Sequence, residues 1–207
     1  MRNSKFQIQN SRFQRKSGGF SLIELMVTTS IIVIISSIVL FNFPSFASRI
    51  LLENLTHEIA LVVRQAQVYG IGIKQTTGGL FPAYGAHFDK SAAPSEDPQN
   101  KKVIFFADVN GNYFYDGDSE KLETFVIQRG NTISALCYDV QIGGSCSSAN
   151  KIDITFKRPE PEAHIRFNGV GSDVSSAKIT VTSPNAEIGE RYITVYSSGQ
   201  IAVTSTE

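Results

Sequence analysis

The sequence predicts an α+β chain, with a long kinked N-terminal helix packed on an antiparallel β-sheet head. Three observations carry this. From Phe20 to Phe43 the chain is almost wholly apolar. From Leu51 to Ala66 apolar residues recur with helical spacing. After Gly79 the helical period disappears, and short β-branched and aromatic runs alternate with turn clusters.

The first 19 residues carry Arg2, Lys5, Arg12, Arg15 and Lys16 and no acid. Over 207 residues, 19 Lys and Arg balance 19 Asp and Glu. The residues after the basic segment therefore hold 14 bases against 19 acids, a net charge of −5. A basic head on a mildly acidic body predicts a targeting segment and argues against a nucleic-acid partner.

The run Phe20–Phe43 contains one charge, Glu24, in 24 residues. About 20 apolar residues at 1.5 Å rise span a hydrocarbon core of roughly 30 Å, so this segment is long enough to cross a bilayer. The positive-inside rule places residues 1–19 in the cytoplasm and everything after Pro44 outside. A secretory signal peptide fits less well. The apolar stretch is too long, and Ala47-Ser48 follows Phe43-Pro44-Ser45-Phe46, a poor cleavage context. A carboxylate at bilayer depth costs roughly 2.5–3.5 kcal/mol on insertion scales, so Glu24 needs a cation.

Pro44 is expected to kink the helix. Beyond it Leu51, Leu55, Ile59, Val62 and Ala66 form one apolar stripe, while Arg49, Glu53, His57, Arg64 and Gln67 fall on other faces. The helix is expected to end near Tyr69, where Gly70 and Gly72 break it. As one helix, residues 20–69 would run about 75 Å. The division expected is 1–19 leader, 20–43 membrane or filament-core helix, 44–73 amphipathic half and 74–207 head.

In the head, residues 84–88, 103–107, 123–128, 132–138, 151–156, 164–167, 178–182 and 191–196 read as strands. Residues 200–203 pair back as a hairpin across Ser197-Ser198-Gly199. Residues 90–101 form a polar Pro/Ser loop.

Enzymatic signatures fail one by one. His57-Glu58 begins like H-E-x-x-H, but Leu61 stands where the second His is required. There is no G-x-S-x-G, and Gly143-Gly144 does not follow a strand and open a helix. Cys137 and Cys146 are the only cysteines. Outside the cytoplasm they read as a disulfide, with two free buried thiols as the alternative. Asp108, Asn110, Asn112 and Asp116 place oxygens at alternate positions of a turn. That pattern suits a weak Ca²⁺ site or a tight turn capped by its own side chains. It departs from an EF-hand loop: Gly111 is fourth rather than sixth, and Glu120 is thirteenth rather than twelfth. No other cofactor is indicated.

The segment Lys16-Ser17-Gly18-Gly19-Phe20-Ser21-Leu22-Ile23-Glu24-Leu25 resembles the processing site of type IV prepilins and type II secretion pseudopilins. The resemblance implies a pilin-like fold and a non-enzymatic filament subunit. It implies cleavage after Gly19 by a prepilin peptidase, N-methylation of Phe20, and an assembly role for Glu24. The implied partners are that peptidase, other pilin or pseudopilin subunits, and the cytoplasmic membrane. Phe105-Phe106-Ala107-Asp108-Val109-Asn110-Gly111-Asn112 and Tyr192–Ile201 are further similar to H-type minor pseudopilins and their FimT-like relatives. Those relatives often have a basic residue where Gln200 stands, and no Lys or Arg follows Arg191 here. A DNA-uptake role is therefore the less favoured alternative, beside an uncleaved single-pass protein.

Overall fold

The computed structural model describes residues 19–72, 81–93, 96–140, 146–170 and 174–205. Lys16, Ser17, Gly18, Gly143, Gly144 and residues 94–95 of the polar loop lie outside them. The chain divides into two compact units between Pro44 and Ser45.

One helix, α1 (Leu22–Ile71), contains Pro44 within its span. In the unit after Ser45 it buries Leu52, Leu55, Thr56, Ile59, Val63, Ala66 and Gln67. The apolar stripe is thus set one residue away from the expected line at two points. Leu52 and Val63 are fully buried, and Leu51 and Val62 flank them. Gln67, expected on an outer face, is buried as well. Two polar residues are tolerated there because their groups are satisfied. The Thr56 hydroxyl donates to the Leu52 carbonyl at 2.7 Å. The Gln67 amide donates to the Gly199 carbonyl at 2.9 Å and accepts from the Arg64 guanidinium.

The helix ends at Ile71, beside Gly72 and close to the stop expected near Tyr69. Gly70, in its last turn, is a contact point: a Cβ there would lie 2.3 Å from the Phe156 carbonyl oxygen. The missing side chain lets helix and sheet approach closely.

Ten strands follow: β1 (Ala83–Asp89), β2 (Lys102–Asp108), β3 (Lys121–Val126), β4 (Thr132–Asp139), β5 (Ser147–Ala149), β6 (Lys151–Phe156), β7 (Ala163–Phe167), β8 (Ser176–Thr182), β9 (Glu190–Tyr196) and β10 (Ile201–Ser205). They form two five-stranded antiparallel sheets, ordered β3-β2-β1-β6-β7 and β10-β9-β8-β4-β5. The third strand was expected two residues later in the chain, and β5 was not expected. Short 3-10 turns sit at Gln99–Lys101, within the polar loop, and at Ala186–Ile188.

Alternate residues of the strands supply the core. Phe88, Val103, Ile152, Ile154 and Phe156 of the first sheet join Ile133, Leu136, Ile179, Ile193 and Val195 of the second. Both sets pack with Leu52, Ile59 and Val63 of α1 in one continuous cluster. The head is therefore a helix docked on antiparallel sheets, the α+β arrangement the sequence predicts.

Candidate functional site

Gly19, Phe20 and Ser21 precede the first helical residue, Leu22. The helix is entered through the Leu25 amide, which donates to the Ser21 carbonyl at 3.1 Å. Among the described residues nothing lies within 4 Å of where a Gly19 Cβ would be, and Phe20 is 82% exposed. The Gly19–Phe20 peptide bond is thus non-helical, accessible and free of side-chain bulk on its amino side. These are the properties a scissile bond needs.

Glu24 stands in the first turn of α1, where unpaired N–H groups and the helix dipole favour negative charge. It is the only ionisable side chain from Phe20 to Phe43. The hydroxyls nearby do not need water. Thr28 and Thr29 bond the Leu25 carbonyl at 3.0 and 2.9 Å, and Ser30 bonds the Met26 carbonyl at 2.7 Å. These three hydroxyls are satisfied within the helix, as a hydrocarbon environment requires. Among the described residues, no ion pair is formed by the Glu24 carboxylate. Large apolar side chains from Phe20 to Phe43 are between 51% exposed (Ile31) and 84% exposed (Phe41). Among the described residues, α1 is the one helix long and apolar enough to cross a membrane.

In the head, Cys137 and Cys146 are joined, with Cα atoms 5.5 Å apart. The bond ties the hairpin β4–β5, in which Cys137 faces Ser148.

Asp108, Asn110, Asn112 and Asp116 are brought together in the β2–β3 connection. Asp108 is 1% exposed, and its carboxylate accepts the amides of Gly111 (2.7 Å), Asn112 (3.1 Å) and Tyr113 (2.9 Å). The Asn110 and Asn112 side-chain oxygens accept the amides of Asn112 and Phe114 at 3.0 and 2.8 Å. Both side-chain amides donate to Asp116 Oδ2 at 2.6 Å. Glu120, also buried, accepts from the Val109 and Asp116 amides at 3.3 and 3.1 Å. Burial, with the Asp108 and Asp116 charges, holds the Glu120 carboxyl above the usual glutamate range, against the lowering effect of those amides. In this arrangement the candidate cation ligands are engaged by the loop's own N–H groups. Among the described residues, no three His, Cys, Asp or Glu are grouped to hold a metal ion.

The loop also covers the first sheet's outer face. The Tyr115 ring lies 5.0 Å from His87 and 5.5 Å from Phe106, and Tyr113 lies 4.4 Å from His164. Beneath it His87 Nδ1 and Asp153 Oδ1 form a buried pair at 2.7 Å. Sequence reasoning missed this pair. The two residues are 66 apart in sequence, and only the β1–β6 register opposes them. His57 is exposed on α1, so the three histidines occupy separate environments.

Residues 14–40 match the prokaryotic N-terminal methylation motif. No curated protein and no solved structure matches the chain. The motif, on a helix of this length and hydropathy, supports kinship with type IV pilins and pseudopilins and anchoring in a membrane.

Proposed function

We propose that the chain is a non-enzymatic structural subunit, a minor pseudopilin or pilin of a type II secretion pseudopilus or type IV pilus. The single observation that carries the reading is the methylation motif at residues 14–40, set on an apolar helix that Gly19 and Phe20 lead into. Residues 1–19 form the leader, residues 20–43 hold the precursor in the cytoplasmic membrane, and the head lies outside. A prepilin peptidase cuts after Gly19 and methylates the Phe20 amine. The methylated amine remains a cation.

Glu24 then has a partner. In the filament, the carboxylate of one subunit neutralises the Phe20 terminus of a neighbour. Such a pair is strong where water is scarce, and loss of one member leaves a buried charge uncompensated. The amphipathic half of the helix is occupied by the head, and the apolar half is left for other subunits. A DNA-uptake pilus uses the same processing, and neighbouring genes would separate it from secretion.

Intact-mass analysis of membrane-purified protein from cells with an active peptidase tests the reading. The expected species begins at Phe20 and carries one methyl group. A chain that retains residues 1–19 there would leave a single-pass membrane protein in its place.

A further inference from the structure

We infer that the free edge of β10 is a docking site for an extended segment of another protein, which adds as a sixth strand to the second sheet. An exposed sheet edge is a template for pairing, and proteins blunt the edges they do not use. Among the described strands, three edges are blunted. β3 carries Lys121 and Glu123, and its pairing with β2 is interrupted by a bulge between Phe105 and Phe106. β7 carries His164 and Arg166, and Phe167 folds back in a bridge to Val170. β5 has three residues and begins beside the Cys137–Cys146 bond.

The edge at β10 has none of these devices. Its sequence, Ile201-Ala202-Val203-Thr204-Ser205, contains no charge and no proline. It pairs with β9 in unbroken register and, among the described residues, has no strand on its other side. Between β10 and α1 lies a groove of about 540 Å³, lined by the partly buried Ile201 and Val203 on β10 and by His57, Ala60, Leu61 and Arg64 on α1. Leu61 is 66% exposed. A strand added to β10 would place every second side chain over this groove.

The groove selects the occupant. Ala60, Leu61, Ile201 and Val203 give it an apolar lining, and among the described residues its titratable lining side chains are His57 and Arg64. The segment that fits therefore alternates, with apolar residues and one carboxylate on the groove side. The carboxylate would meet the Arg64 guanidinium through the N–H groups that Arg64 does not give to Gln67.

The probe is a capped octapeptide, Val-Thr-Val-Thr-Glu-Thr-Val-Thr, added to the full-length protein in detergent micelles. Hydrogen–deuterium exchange is read by mass spectrometry. At about 1 mM peptide, those amides of residues 201–205 that point away from β9 are expected to exchange about tenfold more slowly. A scrambled peptide without alternation should have no effect. Arg64→Glu should abolish the protection, and exchanging Glu for Lys in the peptide should restore it. Leu61→Glu, at an exposed position, should weaken it without unfolding the head. No protection of β10, equal protection by the scrambled peptide, or protection confined to β3 or β7 would overturn the inference. Protection that grows with protein concentration and needs no peptide would assign the edge to a second copy of this chain, overturning it as well.

Discussion

Gly70 of α1 and Phe156 of β6 meet backbone to backbone, since a Cβ on Gly70 would fall 2.3 Å from the Phe156 carbonyl oxygen and 2.8 Å from its Cβ. Neither neighbouring atom belongs to a flexible side-chain end that could move aside. Gly70→Ala should therefore destabilise the head by about 1–3 kcal/mol, as overpacking does. Denaturant unfolding measures this as a lower midpoint with unchanged slope. An unchanged midpoint would mean that the helix end can lift from the sheet at no loss.

Processing should depend on Gly19 more than on any other described residue. Gly19→Leu adds bulk beside an open peptide bond and should leave the precursor uncut. The assay is the mass difference between precursor and mature chain. Normal maturation of that variant would separate cleavage from this glycine.

Glu24→Ala should be cut and methylated normally yet incorporate poorly into filaments. The motive is its position as the one ionisable side chain in the apolar run. Sheared filaments and whole membranes are compared for the mature protein. Full incorporation would remove the neutralising role from Glu24.

The bond between Cys137 and Cys146 closes a short loop, with a sequence separation of 9. Replacing both by Ser should lower stability by about 2.5–3 kcal/mol on the chain-entropy account. Non-reducing peptide mapping should recover the linked pair from wild-type protein. Two free thiols after oxidative expression would contradict the pairing.

Two buried carboxyls should give opposite pH responses. Burial works against ionisation of Asp89, but hydrogen bonds from Ser91 and the Lys151 charge more than offset it and hold its carboxyl below the usual range. Its contribution is present above the unfolded value and is lost as pH falls through the folded one. Glu120 is held above its usual range, so the folded state keeps a proton that the unfolded state has released. Stability there falls as pH rises from the ordinary glutamate value through the raised one. In a pH series of unfolding midpoints, Asp89→Asn should flatten the acid limb and Glu120→Gln the limb above it. The same midpoints with Ca²⁺ and with chelator, in wild type and Asp108→Ala, test the cation reading of the loop. A midpoint that responds to calcium in wild type alone would mean that the loop opens to take the ion.

Much of this architecture is legible in the sequence because its periods are strong. The apolar run and the stripe from Leu51 to Ala66 announce α1, and the β-branched runs announce most strands. The buried stripe runs one residue off the apolar count at Leu52 and Val63, because such a count ignores buried polar residues such as Thr56 and Gln67. Their groups are satisfied by carbonyls of Leu52 and Gly199, which no pattern reveals. β5 was missed because Ser147-Ser148-Ala149 has no β-branched residue. The sheet order was illegible for a different reason. β1 pairs with β6, which follows four intervening strands, and local sequence carries no sign of that partner.

That long-range pairing explains the use of a buried His87–Asp153 pair. In β1 the side chains alternate, with Phe88 in the apolar core and His87 on the opposite face. A slip of β1 by one residue would turn His87 into the core and Phe88 out of it, and would strand Asp153 without its donor. The wrong alignment is thus penalised on both faces of the sheet at once. The pair works as a checksum on strand alignment, satisfied only when β1 lies in its observed register between β2 and β6.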